Sequence, residues 1–228
     1  MSSASGATAQ QKLVFSTLEH APNGRIGSEI LKIAYAKLGL NFETYYTSGK
    51  RALVLSSSGV VDGEVLRTSD VAQKYPSLIK VDVPLLTLMN VVFVNRHRSS
   101  GEVFMDLKNT RVGFLNGVEQ LDAYTQGFHH IWRAESFREL FEMLSLGKLD
   151  AVISEKTAGK IEIHALGLES VVTLDKVIAP ETLYHFLHEK HAQLVPRISD
   201  VLQQMKSSGE MEQIANRAVL EIVIQGNK

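Results

Sequence analysis

Apolar and polar positions along the first part of the chain switch repeatedly between a period of two and a period near 3.6. Residues 12–17 alternate and are rich in β-formers, which predicts a strand leading into a loop over 19–24. Over 28–38, Ile30, Ile33, Ala34 and Leu38 share one helical stripe, and Gly39 supplies a natural stop. Alternation returns over 42–46, a helix is predicted over 50–57 with Ser58–Gly59 ending it, and 60–66 reads as a short strand. Further strands are predicted over 78–83 and 91–94. This succession of strand, helix and strand implies an α/β sandwich with a largely parallel sheet.

The second half repeats the order of elements without repeating the sequence. A strand over 110–115 meets an Asn116–Gly117 turn and a helix beginning near 118–124, and 137–146 is an amphipathic helix stopped by Gly147. Apolar strands follow over 150–154, 171–174 and 182–187, then helices over 192–207, capped by Gly209, and over 211–217. Two α/β lobes are the economical organisation.

Composition narrows the function classes. The chain of 228 residues is long enough to bury a core as one large domain or two modest ones, and its formal net charge of −1 gives no long-range field to draw nucleic acid or an anionic membrane. Basic pairs such as Lys50–Arg51 do not extend into a patch. Absence of cysteine excludes disulfides, thiolate metal ligands and cysteine nucleophiles. No apolar run approaches the roughly 18–20 residues that span a bilayer, since Pro84, Thr87 and Asn90 interrupt the longest. Residues 1–11 are small and polar and are expected to be a disordered leader or the remnant of a removed signal, with Ala7-Thr8-Ala9 suited to cleavage.

Catalytic and metal signatures are sparse. No Gly-x-Ser-x-Gly occurs, Gly113 to Gly117 lacks the lysine of a phosphate-binding loop, and Ser28 suits a helix cap. On a strand, His185 and His188 point to opposite faces, so with His191 they do not form a zinc site. Neither a metal nor a cofactor is expected.

Several segments, in order, resemble extracellular solute-binding proteins of family 3, the amino-acid-binding type. They are Asp106-Leu-Lys-Asn-Thr-Arg-Val-Gly-Phe114 with Asn116–Gly117, Leu146-Gly-Lys-Leu-Asp-Ala-Val-Ile-Ser154, and the tail from Leu183 through Met211. Gly59-Val-Val-Asp-Gly-Glu-Val-Leu-Arg67 and Tyr75-Pro-Ser-Leu-Ile79 look like a divergent branch of the same family. The resemblance implies a two-lobed, type II periplasmic-binding-protein-like fold with a mixed sheet in each lobe and two hinge strands. Lobe one would be 12–93 plus 185–228 and lobe two 94–184, with ligand held between them. It implies a periplasmic receptor, not an enzyme, that captures a small polar or zwitterionic, amino-acid-like solute for a membrane importer. A sensory or orphan module signalling to a partner is the alternative, and a lyase on the same fold is a third. The expected partners are the small molecule and a permease or sensor, with no nucleic acid, and the chain is expected to be a monomer.

Sheets of this kind bind ligands at the carboxyl ends of parallel strands. That places Thr17, Glu19 and His20 after the first strand, Ser57 near a helix end, and Glu64 with Arg67 among the candidates. Arg67 could fork a carboxylate and Glu64 could accept an amine; alternatively the two only brace the lobe. In lobe two, Asn116 and Gly117 precede a helix start whose free N–H groups suit an anion, or form a plain turn. Glu155 stands where the resembled family commonly places an acid that holds the ligand's amine, one methylene longer than the usual Asp. The family's serine/threonine-then-arginine segment is not visible, and Gly117–Val118 replaces its Gly-Thr, so an ordinary α-amino acid is a candidate ligand only.

Overall fold

A computed structural model describes residues 12–19, 21–98 and 106–225; His20 and the expected leader lie outside these described residues. The strands are β1 (Lys12–Leu18), β2 (Asn41–Thr47), β3 (Gly63–Thr68), β4 (Leu78–Asn95), β5 (Arg111–Leu115), β6 (His130–Ala134), β7 (Ala151–Glu155) and β8 (Val171–His188). The helices are α1 (Pro22–Lys37), α2 (Gly49–Ser57), α3 (Val71–Lys74), α4 (Glu119–Tyr124), α5 (Phe137–Ser145), α6 (Lys156–Ala165), α7 (Val195–Ser207) and α8 (Glu210–Gln225).

The chain forms two compact units. One takes residues up to Leu86 and Thr182–Ala218; the other takes Thr87–Glu181 and the chain from Val219. The expected boundaries at 93/94 and 184/185 and the observed ones fall inside the same two strands, β4 and β8. A strand continuous through both units leaves no linker to mark a boundary by composition. The last residues of α8 count with the second unit, whereas the expected lobe one ran to 228.

In the first unit β1 pairs in parallel with β2 (Lys12↔Asn41) and with β3 (Phe15↔Gly63), and β3 pairs antiparallel with β8 (Gly63↔Leu187, Thr68↔Leu183). In the second, β5 pairs in parallel with β6 and β7, and β7 runs antiparallel to β4. The sheet is therefore mixed, not largely parallel as the strand–helix alternation suggested. The antiparallel pairs are those that the long strands β8 and β4 make with β3 and β7, and the parallel pairs are those among the short strands.

Each unit is filled as its alternation dictates. In the first, Phe15 stacks on Phe42 with ring centroids 5.2 Å apart and tilts against Tyr35 at 5.1 Å, under the apolar face of α1 that carries Ile30, Leu31 and Ala34. In the second, the two faces of the sheet divide by residue parity. Val92, Val94, Ala151 and Ile153 join one cluster, while Val91, Phe93 and Val152 join the other with Leu140, Phe141 and Leu144 of α5. Each large apolar side chain so buried contributes about 1.5–3 kcal/mol.

Two glycines permit close approaches that fix the layers. At Gly63, φ is +154°, and an added Cβ would collide with the Phe186 carbonyl and lie 2.9 Å from the Leu187 Cα. At Gly159 a Cβ would sit 2.5 Å from Phe93 Cε2 and 3.0 Å from Phe141 Cζ, so α6 rests directly on those rings.

Several elements differ from the expectations. Helix α1 begins at Pro22 rather than 28, because proline suits its first turn and Gly24 and Gly27, weak helix formers, lie where Thr17 and Leu66 crowd the helix. Strands β4 and β8 each join two expected strands, since polar residues and Pro84 do not end a ladder built from backbone groups. The expected helix over 192–207 divides into a 3₁₀ segment, Glu189–Leu194, and α7, at a kink where His191 leaves helical geometry. Strand β6 and helices α3 and α6 were not expected at all.

Candidate functional site

Glu64 sits on β3 with no exposed surface, yet every oxygen of its carboxylate has a partner. Oε1 accepts from Ser16 Oγ at 2.9 Å and from Ser56 Oγ at 2.7 Å, and Oε2 accepts from Arg67 Nε at 2.8 Å. Arg67 also donates from Nη2 to the Gly49 carbonyl at 3.1 Å, and its side chain is only 13% exposed. The register of β3 against β8 shifts between Glu64 and Arg67. Such an irregularity re-aims side chains and lets two residues three apart meet. Burial pushes the Glu64 carboxyl up from its usual value, and the Arg67 charge with the Ser56 and Ser16 hydroxyls acts against that rise. The pair thus ties β1, α2 and β3 together: the bracing alternative is present in the geometry, whatever further role Arg67 has.

The other first-unit candidates are dispersed. Thr17 is buried on β1, where its side chain closes on Gly24 of α1. Glu19 is exposed, and its backbone N–H donates to the Thr47 carbonyl at 3.0 Å. Ser57 is half-buried at the end of α2, and its carbonyl accepts from Ser77 Oγ at 2.7 Å. Its neighbour Ser56 is the serine that reaches Glu64.

In the second unit Glu155 ends β7 and caps α6, accepting from the Thr157 N–H at 3.0 Å and the Ala158 N–H at 2.8 Å, one on each oxygen. Asn116 donates from Nδ2 to Glu135 at 3.1 Å, and Gly117 turns at φ +82° with open space where a Cβ would be. Helix α4 has only six residues and no side-chain cap, so the anion-holding helix start expected after Gly117 is a short turn with little aligned dipole.

Sequence reasoning missed two polar clusters of the first unit. His185 is fully buried, with Nε2 2.8 Å from Tyr35 Oη and Nδ1 2.7 Å from the Glu64 carbonyl. Burial lowers its pKa from 6.5 to about 4 and raises that of Tyr35. Asp62 accepts from the Val14 N–H at 2.7 Å, from Lys190 at 2.9 Å and from His191 at 2.6 Å. Burial alone would raise the Asp62 carboxyl, but these donors outweigh it and hold it below the usual value. The spacing of 185, 188 and 191 reads only as a rejected metal motif and gives no sign of these clusters. Among the described residues no group of three His, Cys, Asp or Glu could hold an ion.

No family model matches the chain. An uncharacterized protein of Shewanella oneidensis is 25% identical over 199 residues, covering 81% of this chain and 72% of that protein. Among solved structures, an ancestral cationic amino acid solute-binding protein is similar with a TM-score of 0.72, 20% identity and coverage of 91% of this chain and 95% of its own. A histidine kinase sensor domain with similarity to periplasmic binding proteins has a TM-score of 0.67 and 16% identity, covering 91% and 96%. The fold is the two-lobed periplasmic-binding-protein-like fold, matching that of family 3 solute-binding proteins.

Proposed function

We propose that the chain is an extracytoplasmic receptor for a small polar or zwitterionic solute, amino-acid-like in its charges, that hands its ligand to a membrane importer. The observation that carries this reading is the fold itself, two α/β units joined by two continuous strands, shared across nine-tenths of the chain with an amino-acid solute-binding protein. Arg67 and Glu155 are its proposed charged contacts, with Thr17, Glu19, His20, Ser57, Asn116 and Gly117 as further contributors and the buried Glu64 acting through the Arg67 it holds. Both charged groups retain capacity. Glu155 uses one lone pair on each oxygen in capping, and Arg67 Nη1 makes no hydrogen bond among the described residues.

A second reading, a sensory module that reports its ligand to a partner, is favoured by the likeness to the histidine kinase sensor domain. Both readings require binding, and a thermal-shift screen of amino acids, polyamines and organic acids tests it. A ligand at 100 times its Kd adds about 2.7 kcal/mol of stability. A screen in which no compound raises the Tm contradicts both. Co-purification with a permease or with a signalling protein then separates them.

A further inference from the structure

A cavity of about 580 Å³ lies wholly within the second unit, and none of the candidate residues above lines it. It is bounded by the C-terminal half of α6, the turn after that helix, and the opening residues of β8. Its volume falls within the range of small-molecule sites, roughly 300–1,000 Å³. Ile163 and Leu168 of its lining pack against the buried cluster that contains Phe93 and Val171, so the apolar part of the cavity belongs to the core.

The polar lining is of mixed charge. Lys160 stands at the cavity without an ion-pair or hydrogen-bond partner among the described residues, and Thr173 presents a hydroxyl that is likewise uncommitted. His164 adds an imidazole, and Glu169 adds the cavity's carboxylate. A single negative charge finds Lys160; a second one on the same ligand would meet Glu169. The neighbouring apolar surface suits an aryl or alkyl body.

We propose that this cavity is a second ligand site that takes a small monocarboxylate with an apolar body, its carboxylate at Lys160 and its body against Ile163, Leu168 and Val171. Lys160 is the residue that selects acid over neutral analogue, since a charge-assisted hydrogen bond is roughly twice as strong as a neutral one.

Titration of the whole chain with 3-phenylpropionate tests this, followed by methyl NMR of Ile163, Leu168, Val171 and Val172. The uncharged amide and phenylsuccinate serve as controls. Saturable shifts confined to those methyls are expected, with the acid bound about tenfold more tightly than the amide or the dicarboxylate, equivalent to ~1.4 kcal/mol. Lys160→Met should bring the acid to the amide's affinity, and Lys160→Arg should keep the preference. Lys160 is exposed, so both variants are expected to fold. Unmoved methyls, equal affinity for acid and amide, or an acid preference that survives Lys160→Met would each overturn the proposal.

Discussion

Replacing Arg67 by alanine removes the only cationic partner, among the described residues, of a carboxylate that has no exposed surface. Breaking a buried pair from one side costs roughly 3–5 kcal/mol, because the remaining charge stays desolvated. The Arg67 side chain keeps 13% of its surface in solvent, and Ser16 and Ser56 still donate to Glu64, which points to the lower end, about 3 kcal/mol. In a chain of this size that lowers Tm by roughly 6–12 °C. The cost has a pH signature. In the wild type burial already raises the Glu64 carboxyl, and losing Arg67 raises it further. A raised folded-state pKa gives stability that is present below the unfolded value, near 4.3, and lost as pH rises through the folded value. Arg67→Ala should therefore lose most at neutral pH and least near pH 4.5. Adding Glu64→Gln should recover part of the neutral-pH loss. Urea unfolding followed by far-UV circular dichroism is the assay, since the single tryptophan, Trp132, lies in the other unit. A loss within about 0.5 kcal/mol, the scale of ordinary surface substitutions, would refute the brace.

Three further outcomes are expected. Gly63→Ala, with φ at +154° and the β8 backbone in the way, should cost several kcal/mol or prevent folding, whereas Gly117→Ala, strained but in open space, should cost about 1 kcal/mol in the same assay. His185 is held neutral by burial, with a pKa of about 4, so its contribution is complete above the unfolded value of 6.5 and falls away, by up to ~3 kcal/mol, as pH drops towards 4. His185→Gln, which can still bond Tyr35 and the Glu64 carbonyl, should flatten that acid limb in a pH series of urea midpoints. Glu155→Ala should lose about 1 kcal/mol with the α6 cap; Glu155→Ser should restore the cap but not ligand affinity, as calorimetric titration would read.

Much of the architecture was legible because its elements obey one period each. The stripe of Ile30, Ile33 and Ala34 and the parity of Val91 to Val94 are local signals, and the helices and strands they predict are present. What escaped was non-local. Pro22, Gly24 and Gly27 discourage a helix until Thr17 and Leu66 are known to crowd it. Helix α6 was hidden because Gly159 lies within it, and only contact with Phe93 explains that glycine. Residue types suggested that Glu64 and Arg67 could pair, and the structure pairs them, but they could not show that both Glu64 oxygens are taken. The histidine spacing of 185, 188 and 191 could not reveal that His185 faces Tyr35 and His191 faces Asp62.

Native mass spectrometry of the freshly purified protein asks whether this chain binds a small polar solute. One added small-molecule mass per chain is expected, present at purification or appearing on incubation with a compound from the thermal-shift screen, and lost in Glu155→Ala. A bare chain mass across amino acids, polyamines and organic acids would contradict binding.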